Sequence, residues 1–157
     1  MRFEASSNDR MNKFNGMEVG IGFPKNSDGD RILYVVDAKD RRNWLVKTSP
    51  IVSVKVENYL GMAFISVNTE NSQYDFTRRA SEFFEEIGYD RDGNEETVLV
   101  NKLGQPVNWS DVKIGDRLKL RQMPFNKDGR PATGWSTFKI SAQNLTGYWE
   151  DEYEEVF

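Results

Sequence analysis

Residues 52–68 read VSVKVENYLGMAFISVN, and this stretch decides the class of fold. Val52, Val54 and Val56 alternate with Ser53, Lys55 and Glu57, which puts apolar side chains on one face and polar ones on the other. After Gly61 the run resumes from Met62 to Asn68, with Phe64 facing away from Ala63, Ile65 and Val67 and either face free to be the buried one. Period two of this kind is the pattern of half-buried antiparallel strands. Upstream, residues 15–23 (NGMEVGIGF) and 31–37 (RILYVVD) are β-branched or aromatic runs, and the turn formers of 24–30 lie between them. A basic, polar turn at 39–43 leads into Trp44 to Lys47, and Pro50 then marks a break. Downstream, residues 97–101 (TVLVN), 117–121 (RLKLR) and 135–142 (WSTFKISA) have strand character, the last two separated by a loop at 126–131.

Between these strands the spacing predicts a helix over about 73–87: Phe76, Ala80, Phe83, Phe84 and Ile87 form one apolar stripe, with charged residues on the other side. Asn71 or Ser72 would cap its start and Gly88 would end it. Several strands, one helix and a closing hairpin give a mainly β chain in the order of an OB-fold-like small barrel, a partly open Greek-key fold. Another small barrel or sandwich with one helix fits the same order. The expected organisation is one OB-fold-like domain over residues 1–147 and an acidic C-terminal tail over 148–157.

Composition narrows the chemistry. A chain of 157 residues, 38% hydrophobic and 13% aromatic, can build one domain with a real core. It has no cysteine, so disulfides, thiolate metal sites and cysteine nucleophiles are out of reach and a reducing compartment is expected. It has no histidine, which removes the commonest general base and most zinc chemistry. No segment approaches the roughly 20 apolar residues of a membrane span, so no membrane association and a cytoplasmic location are expected. Asn26, Asp28 and Asp30 stand at alternate positions as in a calcium loop, but Arg31 takes the place that needs glycine. Asp37 and Lys39 match the acid-x-Lys element of magnesium-dependent nucleases in three residues only. The expectation is therefore a protein with no catalytic site, metal or cofactor, with a nuclease as a minor alternative.

The closing hairpin carries the most informative surface. Alternation sends Leu118 and Leu120 to one face and Arg117, Lys119 and Arg121 to the other, and in a hairpin Trp135, Thr137 and Lys139 stand beside that basic row. Cations neutralise phosphates while an aromatic ring stacks on a base of any identity, so such a face suits single-stranded nucleic acid. A second cluster, Lys39, Arg41, Arg42, Trp44 and Lys47, crowds cations around another indole, which can stack on bases or plug the barrel mouth. Lys127 and Arg130 could close over a bound strand, and Tyr34 and Tyr59 are further stacking candidates.

The last segment, residues 147–157 (GYWEDEYEEVF), is acidic and ends in an aromatic residue. Glu150, Asp151, Glu152, Glu154 and Glu155 are met by no basic residue, which leaves the rest of the chain about neutral although the whole carries -4. An acidic run closed by Phe157 resembles the C-terminal tips of single-stranded DNA-binding proteins of bacteria and their phages. The resemblance implies an OB-fold, and a tail whose Phe157 docks on replication or repair proteins and whose charges compete with DNA for the protein's own groove. The partners expected are single-stranded DNA, with RNA possible, and replication, recombination or repair proteins. A homodimer is possible if the tail lies on a basic face of a neighbouring copy. The rival expectation is a protein-binding inhibitor or adaptor that mimics nucleic acid.

Overall fold

A computed structural model describes residues 1–121, 135–140, 147–149 and 155–156, with side chains through residue 119. Six strands, β1 (Arg2–Ser6), β2 (Val19–Gly22), β3 (Ile32–Asp37), β4 (Trp44–Tyr59), β5 (Met62–Thr69) and β6 (Gln73–Arg79), build an antiparallel sheet in the order β1-β6-β5-β4-β3-β2. The sheet curls until the stretch before β2 meets β1. There Arg2 bridges to Glu18, the Phe3 N–H donates to the Met17 carbonyl at 2.9 Å and the Val19 N–H to the Met1 carbonyl at 2.8 Å. The result is mainly β and OB-fold-like in shape, although β2 to β6 follow one another as a meander. Alternation fills the interior with Leu33, Val35, Val54, Val56, Ala63, Ile65, Val67, Tyr74 and Phe76, and Phe3 of β1 meets Phe76 edge to face at 5.5 Å. Phe64 is thus on the outer face.

β4 runs through Pro50, where the sequence suggested a break. Proline lacks a donor and is tolerated at ladder irregularities. The β3–β4 register shifts between Ile32 and Tyr34, and there the Thr48 hydroxyl takes the Leu33 N–H in place of a backbone carbonyl. A second shift, between Ile51 and Ser53, turns Val52 outward, so that both Ile51 and Ser53 are buried while Val52 is exposed.

No helix spans 73–87. Residues 73–79 are β6, and residues 82–89 are β7 (Glu82–Tyr89) of a second sheet. The apolar stripe misleads because its steps of four and eight are even and suit a strand as well as a helix. Its odd steps, from Phe76 to Phe83 and Ile87, mark a change of face, and the chain makes that change by passing between sheets at Ala80 and Ser81. Gly88 ends no helix: it pairs with Glu96 as the penultimate residue of β7, where a Cβ would lie 3.2 Å from Val98 Cγ1. The helical segments described are short 3-10 turns, Asp9–Phe14 and Trp109–Asp111. Among the described residues no helix is long and apolar enough to cross a membrane.

The second sheet adds β8 (Glu95–Val100), β9 (Arg117–Arg121), β10 (Trp135–Ile140) and β11 (Gly147–Trp149) in the order β11-β10-β9-β7-β8, with β7 parallel to β9. Phe83, Leu99, Val112 and Leu118 form its separate core, with Val107 packed against them. β12 (Glu155–Val156) pairs with Val54 and Ser53 of β4.

The turn before β9 joins the two sheets. Asp116, almost fully buried, accepts from Arg78 Nη1 at 2.6 Å and from the Ser81 N–H at 2.8 Å on one oxygen, and from the Lys113 N–H at 2.8 Å on the other. Arg78 also donates to the Ile114 carbonyl, and Asn58 Nδ2 to the Gly115 carbonyl at 3.0 Å. Ile114 packs on the barrel core while Val112, two residues earlier, belongs to the second.

Candidate nucleic-acid interface

The β3–β4 end of the barrel brings the second sequence cluster together. Lys47 pairs with Tyr34, and Trp44 with Val36, so four residues of β4 oppose three of β3. That bulge decides the site. In a regular strand Trp44 and Lys47, an odd number of residues apart, point to opposite faces; the extra residue puts both on the outer one. Lys47 Nζ lies 5.3 Å from the centroid of the Trp44 ring and 5.5 Å from that of Tyr34, close enough for cation–π attraction to both. Trp44 is 53% exposed and does not plug the barrel mouth.

The turn leading into this face is built by its own acids. Asp37 Oδ1 accepts the Lys39 N–H at 2.9 Å, Asp40 Oδ1 accepts the Arg42 N–H at 3.1 Å, and the Asn43 N–H returns to the Asp40 carbonyl. Both carboxylates thus hold backbone while Lys39, Arg41 and Arg42 stand exposed. None of the described ion pairs involves these three or Lys47. The Asp37–Lys39 pair, the nuclease-like element, is a turn cap, and among the described residues no group of three or more acidic side chains is placed to hold a metal.

The closing hairpin has the register that alternation requires. Trp135 stands opposite Arg121, Thr137 opposite Lys119 and Lys139 opposite Arg117. β7 lies on the other side, and its Glu82 takes Arg117 Nη1 at 3.2 Å while Phe84 is aligned with Lys119. Arg117 and Lys119 are half-buried there, so these two are less open than the cations of the β3–β4 end. Lys127 and Arg130 lie outside the described residues, as do Glu150, Asp151, Glu152, Glu154 and Phe157; Glu155 is placed by its backbone opposite Val54.

The sequence did not single out two outer features. A groove of about 550 Å³ crosses β1, β6 and β5, with the exposed Phe64 beside Arg2, Met62 and Thr77. The β7–β8 hairpin carries Glu85, Glu86, Asp90, Asp92, Glu95 and Glu96 around exposed Ile87 and Tyr89. The helix pattern hid the latter, because it put Glu85, Glu86 and Ile87 on a helix that ended before Tyr89 and the acids of 90–96. No protein-family model, curated protein or solved structure matches the chain.

Proposed function

We propose that the chain is a non-enzymatic, sequence-tolerant single-stranded DNA-binding protein that coats strands in replication, recombination or repair and recruits partners through its acidic tail. The observation that carries this reading is the Tyr34–Lys47–Trp44 ladder beside Lys39, Arg41 and Arg42. Bases stack on an open indole whatever their identity, and cations outside ion pairs are free to neutralise phosphates. A small curled β-sheet is a shape that suits this task. The Arg117, Lys119, Arg121, Trp135 and Lys139 row extends the same chemistry onto the second sheet.

Titration of a fluorescent oligonucleotide tests the proposal. Trp44→Ala weakens binding by about 1–3 kcal/mol with an unchanged salt slope, because stacking releases no counterion. Arg41→Gln combined with Arg42→Gln flattens the slope of log K against log salt by roughly 0.7 for each phosphate that is no longer neutralised. Binding that survives both changes but falls in Arg117→Gln with Lys119→Gln moves the interface to the second sheet. No binding of single strands by the unaltered chain ends the proposal and favours the nucleic-acid mimic, for which the acidic β7–β8 hairpin speaks.

A further inference from the structure

We infer that the β7–β8 hairpin of one copy docks on the Trp44 end of the barrel of a second copy, making a head-to-tail contact between unlike surfaces. On β7, Phe83, Glu85, Ile87 and Tyr89 share a face by alternation. The second core ends at Phe83, yet the apolar pattern continues: Ile87 is 44% exposed and Tyr89 67%, in register with Thr97 and Glu95 of β8. Beyond Phe83 and Leu99, which the second core covers, this sheet face is open at Ile87 and Tyr89 among the described residues. Its rim is acidic, with Arg91 the sole base from Glu82 to Glu96, and of the carboxylates there only Glu82 enters a described ion pair. An apolar centre inside a charged rim is the anatomy of a protein interface.

The matching surface lies on the same chain. The β3–β4 end sets Trp44 and Tyr34 among Lys39, Arg41, Arg42 and Lys47, an aromatic centre with a basic rim of opposite sign. The two surfaces lie on different sheets of the fold. The basic turn enters β4 at Trp44, whereas the second sheet is fastened where Asn58 reaches Gly115, near the far end of that strand. At about 3.3 Å per residue the run of β4 from the basic turn to this joint is on the order of 45 Å along the strand. No described ion pair or strand pairing joins hairpin and basic turn within one copy. Complementary surfaces on the two sheets of one molecule satisfy each other between copies, and because the surfaces differ the contact repeats along a chain of molecules. Nucleic acid and the hairpin claim the same cations, so a strand that occupies Trp44 displaces the neighbour.

Sedimentation velocity on the full chain without nucleic acid tests the contact. Association is expected at about 0.01 M salt and dissociation near 1 M, where the screening length falls to roughly 3 Å. Glu86→Lys with Glu95→Lys and Glu96→Lys, or Lys39→Glu with Arg41→Glu and Arg42→Glu, each weakens self-association more than about tenfold, since like charges then face each other. Mixed, the two variants contain one intact hairpin and one intact basic turn, and they form a heterocomplex. Circular dichroism and melting temperature establish that both variants are folded, and all six positions are exposed. An unaltered chain that stays monomeric at low salt overturns the inference, as does association indifferent to both triple changes or a mixture that stays dissociated. None of these measurements uses DNA, so a chain that associates as described but ignores oligonucleotides defeats the proposed function alone.

Discussion

The barrel and the second sheet are made of similar strands, but they hold together differently. The barrel core contains fourteen buried side chains, several of them aromatic, with a further ring of half-buried apolar residues around it. The second sheet has four among its described residues, one of them contributed by the turn at Val112. Burial of a large apolar side chain stabilises by about 1.5–3 kcal/mol, so the barrel can stand on its core, while the described part of the second sheet leans on its attachment. That attachment centres on Asp116, whose two oxygens hold Arg78 of the barrel, the Ser81 N–H at the crossing and the Lys113 N–H of the turn, with Asn58 and the Ile114 side chain tying the same turn to the barrel. The stacking ladder sits on the self-supporting part, and the acidic hairpin on the part with lower expected local stability.

Breaking the attachment gives the largest expected effect. Asp116→Ala leaves Arg78 and two N–H groups without their acceptor in a buried place, and removing one partner of a buried ion pair costs about 3–5 kcal/mol. The loss falls unequally. Native-state hydrogen exchange is expected to show protection lost in β7, β8 and β9 and kept in β3 to β6. Equal loss in both sheets means that the barrel core does not stand alone and that the two sheets unfold as one unit.

Gly115 probes the same joint by shape. It has φ +93°, and an added Cβ would lie 2.7 Å from Ala63 Cβ and 3.4 Å from Ile65 Cδ1, both core residues of the barrel. Gly115→Ala therefore meets backbone strain and a clash together, for an expected loss of about 1–3 kcal/mol. Denaturant titration followed by probes in each sheet measures it, and here both transitions shift, because the methyl group presses on the barrel while lifting the turn. A shift confined to the second sheet shows that Ala63 and Ile65 yield freely.

The contrast also separates what alternation could reveal from what it could not. Where strands are regular, residue order was enough: Leu118 faces a core, and Arg117, Lys119 and Arg121 stand in register with Lys139, Thr137 and Trp135. β1 escaped notice because its one deeply buried aromatic, Phe3, sits in a polar stretch that gains strand structure only by pairing with β6. The crossing from β6 to β7 read as a helix because a change of sheet and a helical turn leave the same odd steps in a short stripe. The candidate interface was legible as a set of residues, Lys39, Arg41, Arg42, Trp44 and Lys47, but its geometry was not. A single bulge puts Trp44 and Lys47 on one face, and no pattern of residue types announces it.

The smallest expected effect lies at the tip joining β4 to β5, within the barrel and beside the joint. Leu60 and Gly61 have φ +50° and +78°, and they connect Tyr59 and Met62, which pair directly. Two central residues with positive φ make the mirror-image hairpin turn, which favours Asn-Gly because Asn tolerates the left-handed region better than a bulky side chain does. Leu60 is 84% exposed, so its replacement loses little packing. Leu60→Asn is expected to stabilise the barrel by about 0.5–1 kcal/mol, read as a rise in its denaturation midpoint with an unchanged slope. The second sheet gains nothing directly, because the Asn58 amide that ties its turn to the barrel near this tip is left in place. The gap between the two transitions should widen by that amount. A fall in the barrel midpoint instead would mean that the Leu60 side chain makes contacts worth more than the strain it carries.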